Sequence, residues 1–369
     1  MIKNKLIKKT SVVIGLVILI LFATTIINSE KSGSDNKILI AGNAPISGPL
    51  AMYGETLRDG TDFAIKHLGE NSNIEIDWQD NKGEIKTSVS VLQRQLAQNP
   101  DIYISGLKPQ TQAITDAVTE AKIPHFTWIL DTEINPNSDN NFRTWVNFKL
   151  EAELFLDYSS KKQLDKVAIV YVNLPSAETE YQDIVIPGLK SQGVSDIYVE
   201  RFSLDKTDMG DTALKIKNYD PDLLIINGFL PQMVNLVNDL DNFGFEFEGK
   251  TLASIDMLDA SANLSPETLE GIVVAAPKFL VDNNQEYANW KKEFKETYNY
   301  EPLYHHAYAY DMMLVINESI KDGKFTNKEN LSTVNIQGIT GNLKFDEDQS
   351  LITEMVLAVY RNGVLIEMN

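Results

Sequence analysis

The sequence contains no cysteine. That excludes disulfides, thiolate chemistry, cysteine-based metal sites and a lipid anchor on an N-terminal cysteine. Histidine is scarce: four occur, and His305 and His306 are adjacent, which puts them on different faces of a helix. A helical metal pair would favour i, i+4 spacing, so both read as packing or surface residues. Basic residues are outnumbered, 33 against 52 acidic, for a formal net charge of −19. A surface this acidic repels nucleic acid, and no basic stripe interleaved with aromatics relieves it. No G-x-G-x-x-G opens a helix, and neither G-x-x-x-x-G-K-[ST] nor G-x-S-x-G is present. The acidic "FDEDQS" lacks the glycine and spaced oxygens of a calcium loop and reads as a solvated turn. The pair Asp239/Asp241 has no cleft context that would suggest glycosidase chemistry. No catalytic residue, metal or cofactor is expected.

What is present begins with a single long apolar run. "MIKNKLIKKT" is basic and "SVVIGLVILILFATTIIN", Ser11 to Asn28, is uncharged and mostly apolar. Its length lies between a signal-peptide core and the ~20 residues of a full membrane span. The four early lysines should stay cytoplasmic and the remainder be exported. No small-residue cleavage site stands out before "NSEKSGSDNK". Residues 1–28 are therefore expected to be a signal peptide or, preferred slightly, an uncleaved N-terminal membrane anchor, with residues 29–36 a polar linker.

At 369 residues, 43% of them apolar, the chain has room for two cored domains. Beyond the linker, strand-like and helix-like segments alternate. "KILIAGN", "IEIDWQD", "DIYISG" and "IPHFTW" read as strands. Leu57, Ala64, Ile65 and Leu68, then Ile85, Val89, Leu92 and Leu96, fall at helical spacing, and a further helix is expected near 110–121. This is the rhythm of βαβ units on a parallel sheet. After "NFRTWVN" the rhythm restarts with "KVAIVYV", "IYVERFS", "DLLIING", "TLASID" and "GIVVAAPK". Two helices follow, around 284–298 and 304–321, and then turn-linked strands with "RNG" as a hairpin signal. The fold class is α/β, built as two similar halves.

Several segments, in order, resemble the type 1 periplasmic-binding-protein family, and its leucine/isoleucine/valine-binding branch in particular. "APISGPLAMYGETLRDGTDFAIKHLG" is similar to that family's opening strand, turn and helix. "DIYISGLKPQTQAITDAVTEAKIPHFTW" resembles its next signature. "KVAIVYVNLPSAETEYQDIVIPGLKSQGV", "DLLIINGFLPQMVNLVNDLDNFGF" and "TLASID" resemble its second lobe, and "EPLYHHAYAYDMMLVINESI" with "ITGNLKFDEDQS" its closing elements. The resemblance covers roughly 37–365. It implies a two-lobed fold, each lobe a mainly parallel sheet flanked by helices, with the ligand cleft between the lobes and three crossovers. The lobes are placed at 37–144 with 277–336, and at 145–276 with 337–369. It also implies a monomeric, extracytoplasmic binding protein that takes a small polar ligand, usually an amino acid, and presents it to an ABC permease. A ligand-sensing ectodomain working with a separate signalling protein is the alternative; an enzyme is not expected.

In open α/β sheets ligands lie beyond the carboxyl ends of the strands. Here the loops at those ends are "PISGPLAMYG", "GLKPQT", "TWILD", "VNLPSA", "NGFLP" and "IDML". The Gly48–Pro49 break should turn the chain over the cleft so that Tyr53 overhangs it, the alternative being a lid on its own lobe. The resemblance assigns Asp256 to the ligand's ammonium group and Thr111, or Gln110 beside it, to the ligand's carboxylate. Helix N-caps are the alternatives for Asp256 and Thr111. Phe229 would pack against the ligand, and Trp128 could stack on it or simply pack. Two departures stand out. The family's Tyr-Gly after the second lobe's first strand is replaced by "NLPSAETEY". A hydroxyl residue past the "IPHFT" strand is replaced by Asp131, which would repel a carboxylate. Either Lys108 pairs with Asp131 and amino acids remain ligands, or the ligand carries a second cationic or donor group facing Asp131.

Overall fold

The computed structural model describes residues 37–69, 72–130, 140–282, 284–321, 324–325, 331 and 333–368. The apolar strand segments form two sheets. In the first, β1 (Ile38–Ala44), β2 (Ile74–Asp80), β3 (Ile102–Gly106), β4 (His125–Trp128) and β5 (Asn141–Arg143) lie in the order β2-β1-β3-β4-β5, every pair parallel. In the second, β6 (Lys166–Val172), β7 (Asp196–Phe202), β8 (Leu223–Ile226), β9 (Thr251–Ala253) and β10 (Val273–Pro277) repeat that parallel order as β7-β6-β8-β9-β10. Two antiparallel strands, β11 (Met355–Arg361) and β12 (Val364–Glu367), extend it beyond β10. Both sheets therefore reverse strand order at one point, between β1 and β3 and between β6 and β8. That is where an open α/β sheet offers a crevice.

The helices connecting the first sheet are α1 (Ala51–Leu68), α2 (Ile85–Leu96) and α3 (Lys108–Glu120). α4 (Phe148–Ser160) and the run of Pro175–Glu178, Thr179–Val185 and Ile186–Ser191, together α5, flank the second sheet. So do α6 (Gly210–Tyr219), α7 (Leu230–Asn242), α8 (Met257–Ser261) and α9 (Pro266–Leu269), while α10 (Gln285–Tyr298) and α11 (Tyr304–Glu318) return to the first core. The centre of α5, Thr179–Val185, is wound as a π-helix. Such turns are rare and recur at functional sites.

Two large apolar cores follow this division. One joins Ile38–Val146 with Phe279–Leu351, the other Ala152–Ala276 with Ala358–Tyr360. The exception is Ile255, which sits in the second lobe's chain yet packs in the first core. Among the described residues the chain passes between cores at 146–152, 276–279 and 351–358. Because Ile339, Leu343, Phe345 and Leu351 pack in the first core, we place the last seam after Leu351, later than the sequence-based boundary at 336.

The break after β1 has a local cause. Gly48 takes a φ of +89°, and the Gly48 carbonyl accepts the Ala51 N–H at 3.1 Å, which starts α1. Asp80 pins the loop by accepting the Ile46 and Ser47 amides at 2.9 and 3.2 Å. At Gly54 a Cβ would meet the Pro45 carbonyl oxygen at 2.1 Å, so the residue after Tyr53 must be glycine. In α2 the expected stripe is rotated. Ser88, Val91, Leu92 and Gln95 are the buried residues, and Ile85 is left 52% exposed. Ser88 and Gln95 face inward because polar partners wait there. Ser88 Oγ donates to Asn43 Oδ1 at 3.2 Å, and Gln95 Nε2 donates to the Gly42 carbonyl at 2.9 Å. "FDEDQS" is a turn, with Asp346 Oδ1 accepting the Asp348 and Ser350 amides at 2.9 and 2.8 Å.

Candidate ligand-binding cleft

A cavity of about 470 Å³ lies where the carboxyl ends of both sheets meet, a size suited to a small organic molecule. From the first lobe it is lined by Leu50 and Tyr53 of the β1–α1 loop and helix, Gly83 and Ile85, Leu107 to Gln110 at the start of α3, Trp128 to Leu130 after β4, Trp145, and Tyr304 and His305 of α11. From the second lobe come Val172, Leu174 to Ala177 and Glu180, Leu204, Asn227 and Phe229 after β8, and Ile255 and Asp256 after β9. The lining is mainly apolar and aromatic, with few polar groups.

The acidic groups among them lie on the second lobe. Asp256 Oδ2 accepts from Asn227 Nδ2 at 3.3 Å and from Ser254 Oγ at 3.1 Å. It precedes α8 but makes no side-chain cap bond there, which leaves the cap alternative unsupported. Burial, reinforced by the nearby Asp259 charge and opposed by His305, pushes the Asp256 carboxyl up to about 7. Glu151, on the first turn of α4, accepts the Ile255 N–H at 2.7 Å and meets Glu180 side chain to side chain. Both are buried, each 4% exposed, and burial raises both carboxyls well above the usual range, with the opposing carboxylate and Asp256 adding to the rise at Glu180. Two carboxyl groups in contact cannot both ionise freely, so the pair shares protons. Glu180 Oε1 and Asn227 Oδ1, both on the cavity wall, have no hydrogen-bond partner among the described residues.

Across the cleft the two lobes meet through rings and a polar bond. Tyr53 meets Phe229 edge-on at 5.4 Å and His305 at 5.4 Å. His305 lies flat on Trp145, centroids 4.9 Å apart and 8° from parallel, and close to Tyr304 at 4.0 Å. Its Nε2 reaches across to Asp259 Oδ2 of α8 at 2.8 Å, with both side chains nearly inaccessible.

Of the residues singled out from sequence, Tyr53, Lys108, Gln110, Trp128, Phe229 and Asp256 line the cavity. Thr111 does not appear on its wall. It is fully buried, its hydroxyl shared with Ser105 Oγ at 2.8 Å and its N–H donated to the Leu107 carbonyl at 3.0 Å. Gln110 Nε2 donates to the Gly83 carbonyl, while Oε1 lacks a partner among the described residues. Trp128 is 2% exposed with its centroid 3.8 Å from that of Trp145, and its indole N–H has no partner among the described residues. Asp131 lies outside the described residues, as does the segment 1–36. Sequence reasoning missed Glu151, Glu180, Asn227, Trp145, Tyr304 and His305. A signal existed for two of them. Glu180 stands beside Ala177 and Tyr181, both buried, and Glu151 beside buried Ala152 and Phe155. An acid on the apolar face of a helix is such a flag. His305 and His306 are 0% and 1% exposed, which resolves the packing-or-surface alternative toward packing; His305 also reaches the cleft wall.

The family described as periplasmic binding protein matches residues 37–363. A curated relative, the Leu/Ile/Val-binding protein homolog 3 of Brucella melitensis, is 22% identical over 237 residues, 61% of this chain. The matched stretch spans 63% of that relative's length. The substrate-binding protein LivJ of Streptococcus pneumoniae, solved with isoleucine, superposes with a TM-score of 0.75 at 20% identity over 89% of this chain and 97% of its own. A solute-binding protein of an ABC transporter from Rhodopseudomonas palustris, solved with 3,4-dihydroxybenzoic acid, gives 0.79 at 16% identity over 90% and 97%. At these identities the structural likeness establishes the two-lobed fold. Among the described residues no helix is long and apolar enough to cross a membrane.

Proposed function

Because this chain belongs to the periplasmic binding protein family, we propose that it is an extracytoplasmic solute-binding protein that captures a small amine-bearing ligand, an amino acid or a related amine, and delivers it to an ABC importer. The observation that carries this reading is the cavity between the lobes, walled by aromatics from both and holding the Asp256 carboxylate. A carboxylate in a mostly apolar cleft forms a charge-assisted bond to an ammonium group roughly twice as strong as a neutral one. Tyr53, Trp128 and Phe229 form the apolar wall, with Gln110 and Lys108 on the first-lobe side. A ligand touching both walls favours the closed arrangement by its differential affinity. We read the chain as a binding protein and not an enzyme, in keeping with relatives that are substrate-binding proteins of transporters. Residues 1–28 would hold it at the membrane or direct its export.

A thermal-shift screen over amino acids, their amides and simple amines tests this. A ligand at about 100 times its Kd adds ~2.7 kcal/mol to stability. Asp256→Asn should remove the shift produced by any hit. A hit whose shift survives that change, or no hit in any class, would remove the amine reading.

A further inference from the structure

The second-lobe wall carries more acid than one amino group of an amino acid needs; the inference that follows rests on the amine reading above. Asp256 is one carboxylate. Glu180 is a second, from a separate element, the π-helical turn Thr179–Val185, and it is 4% exposed with Oε1 unpartnered among the described residues on the cavity wall. A buried polar oxygen left without a bond is costly unless a ligand supplies one. Glu151 braces it from behind while accepting the Ile255 amide at 2.7 Å, next to Asp256. Among the described residues no group of three or more His, Asp or Glu side chains is arranged to hold a metal ion. An organic cation is the occupant this chemistry fits.

For a carboxylate the facing wall has the Trp128 indole N–H and His305 Nδ1, neither partnered among the described residues, and little else. At the start of α3, Pro109 has no N–H, and the Thr111 N–H is given to the Leu107 carbonyl at 3.0 Å. The Thr111 hydroxyl is shared with Ser105, and the Gln110 amide donates to Gly83. Lys108 lines the cavity but is not a free cation, since it already has a partner. A zwitterion would bring its own negative charge into a cleft where acidic side chains face it.

We propose that the ligand is an organic cation without a free carboxylate: a primary amine on an apolar aliphatic or aromatic body, its ammonium held by Asp256 and Glu180 together and its body against Tyr53, Trp128 and Phe229. Glu180 is thus a specificity-determining residue for charge state.

The test is isothermal titration of the full chain in detergent micelles with matched series. One is leucine, leucinamide and 3-methylbutylamine; the other is phenylalanine, phenylalaninamide and 2-phenylethylamine. The amine-free acids 4-methylpentanoate and 3-phenylpropanoate complete the set. In at least one series the amide and the amine should bind on the order of tenfold or more tighter than the parent amino acid, and Glu180→Gln should erase most of that preference. A parent amino acid binding as tightly as its amide overturns the inference and leaves the Asp256 amine reading standing. Binding of the acids alone, or of no compound, overturns both. Should Glu180→Gln not fold, the ranking on the unsubstituted chain decides the matter by itself.

Discussion

The two walls of the cleft are built to opposite standards. On the first lobe, the polar side chains behind the wall are satisfied within the lobe, while Gln110 Oε1, Trp128 Nε1 and His305 Nδ1 on the wall itself lack partners among the described residues. Asn43 donates to Tyr103 Oη at 2.9 Å, Tyr103 donates to Gln95 Oε1 at 2.8 Å, and Ser105 links Thr111 and His125, each at 2.8 Å. On the second lobe, Glu151, Glu180 and Asp256 crowd together, and Glu180 Oε1 and Asn227 Oδ1 lack partners among the described residues. A satisfied network rigidifies, while an unsatisfied one is costly until something completes it. The first wall is therefore backed by a finished neutral network that gives shape, and the second carries the carboxyl groups that select by charge.

The sharpest way to break this contrast is to remove the charge on the second wall. Asp256→Asn should weaken binding of leucinamide or 2-phenylethylamine by about 3–5 kcal/mol, because the ligand's ammonium loses its ionic partner in a closed cleft. Titration calorimetry reads this directly. Retention of affinity would mean the ammonium is not read by Asp256.

Next comes pH. The Asp256 carboxyl is raised to about 7 by burial and then by Asp259, with His305 and Ser254 opposing. Glu151 and Glu180 are raised by burial, each also feeling Asp256. A carboxyl with a raised folded-state pKa binds its proton more tightly in the folded protein than in the unfolded chain. The contribution of these carboxyls to the stability of the unliganded protein is then greatest below the ordinary carboxylate range near pH 4 and falls as pH rises through about 7. The fall attributable to this cluster should be about 3 kcal/mol. Urea melts between pH 4.5 and 8 measure it, and Glu180→Gln with Asp256→Asn should flatten the curve. An unchanged slope in that double variant would assign the dependence to groups elsewhere.

The contact between the walls gives a smaller effect. His305→Ala removes the 2.8 Å bond to Asp259 and the stack on Trp145. It should cost about 2 kcal/mol and let the lobes separate. Small-angle scattering of the unliganded variant should show a larger radius of gyration than the parent chain. An equal radius would show that other contacts, Tyr53 on Phe229 and Ile255 in the first core among them, hold the lobes together.

How much of this was legible in the sequence follows the same division. The alternating "IEIDWQD" became the edge strand β2 and the apolar run "KVAIVYV" became β6, residue for residue, because alternation marks a half-exposed strand and a continuous apolar run a buried parallel one. The wall residues at strand ends, Tyr53, Trp128, Phe229 and Asp256, were legible because position after a strand fixes location in the cleft. Glu151 and Glu180 were not. They sit inside helices, where apolar neighbours such as Phe155 and Tyr181 flag an inward acid but do not tell which cleft it faces until α4 and α5 are packed together. The rotation of α2 escaped for a related reason: Ser88 and Gln95 face inward because Asn43 and the Gly42 carbonyl await them from β1, distant in sequence.

The finest distinction between the walls turns on Thr111, which the family resemblance would place on a ligand carboxylate. In the structure its hydroxyl belongs to a chain of neutral groups, Thr111 to Ser105 to His125, in which burial pushes the imidazole down to about 3 and keeps it uncharged. Valine has nearly the same shape as threonine, so Thr111→Val removes one hydrogen bond while filling the same space. It should lower stability by about 1 kcal/mol, because Ser105 loses one of its two partners in a fully buried site. It should leave affinity for leucinamide unchanged, because the hydroxyl is not on the cavity wall. Thermal denaturation and titration on the same sample separate the two readouts. If affinity for leucine or leucinamide drops about tenfold while the melting temperature stays put, Thr111 turns outward to meet the ligand. The first wall would then be a reading surface as well, and the division of labour between the lobes would fail at that residue.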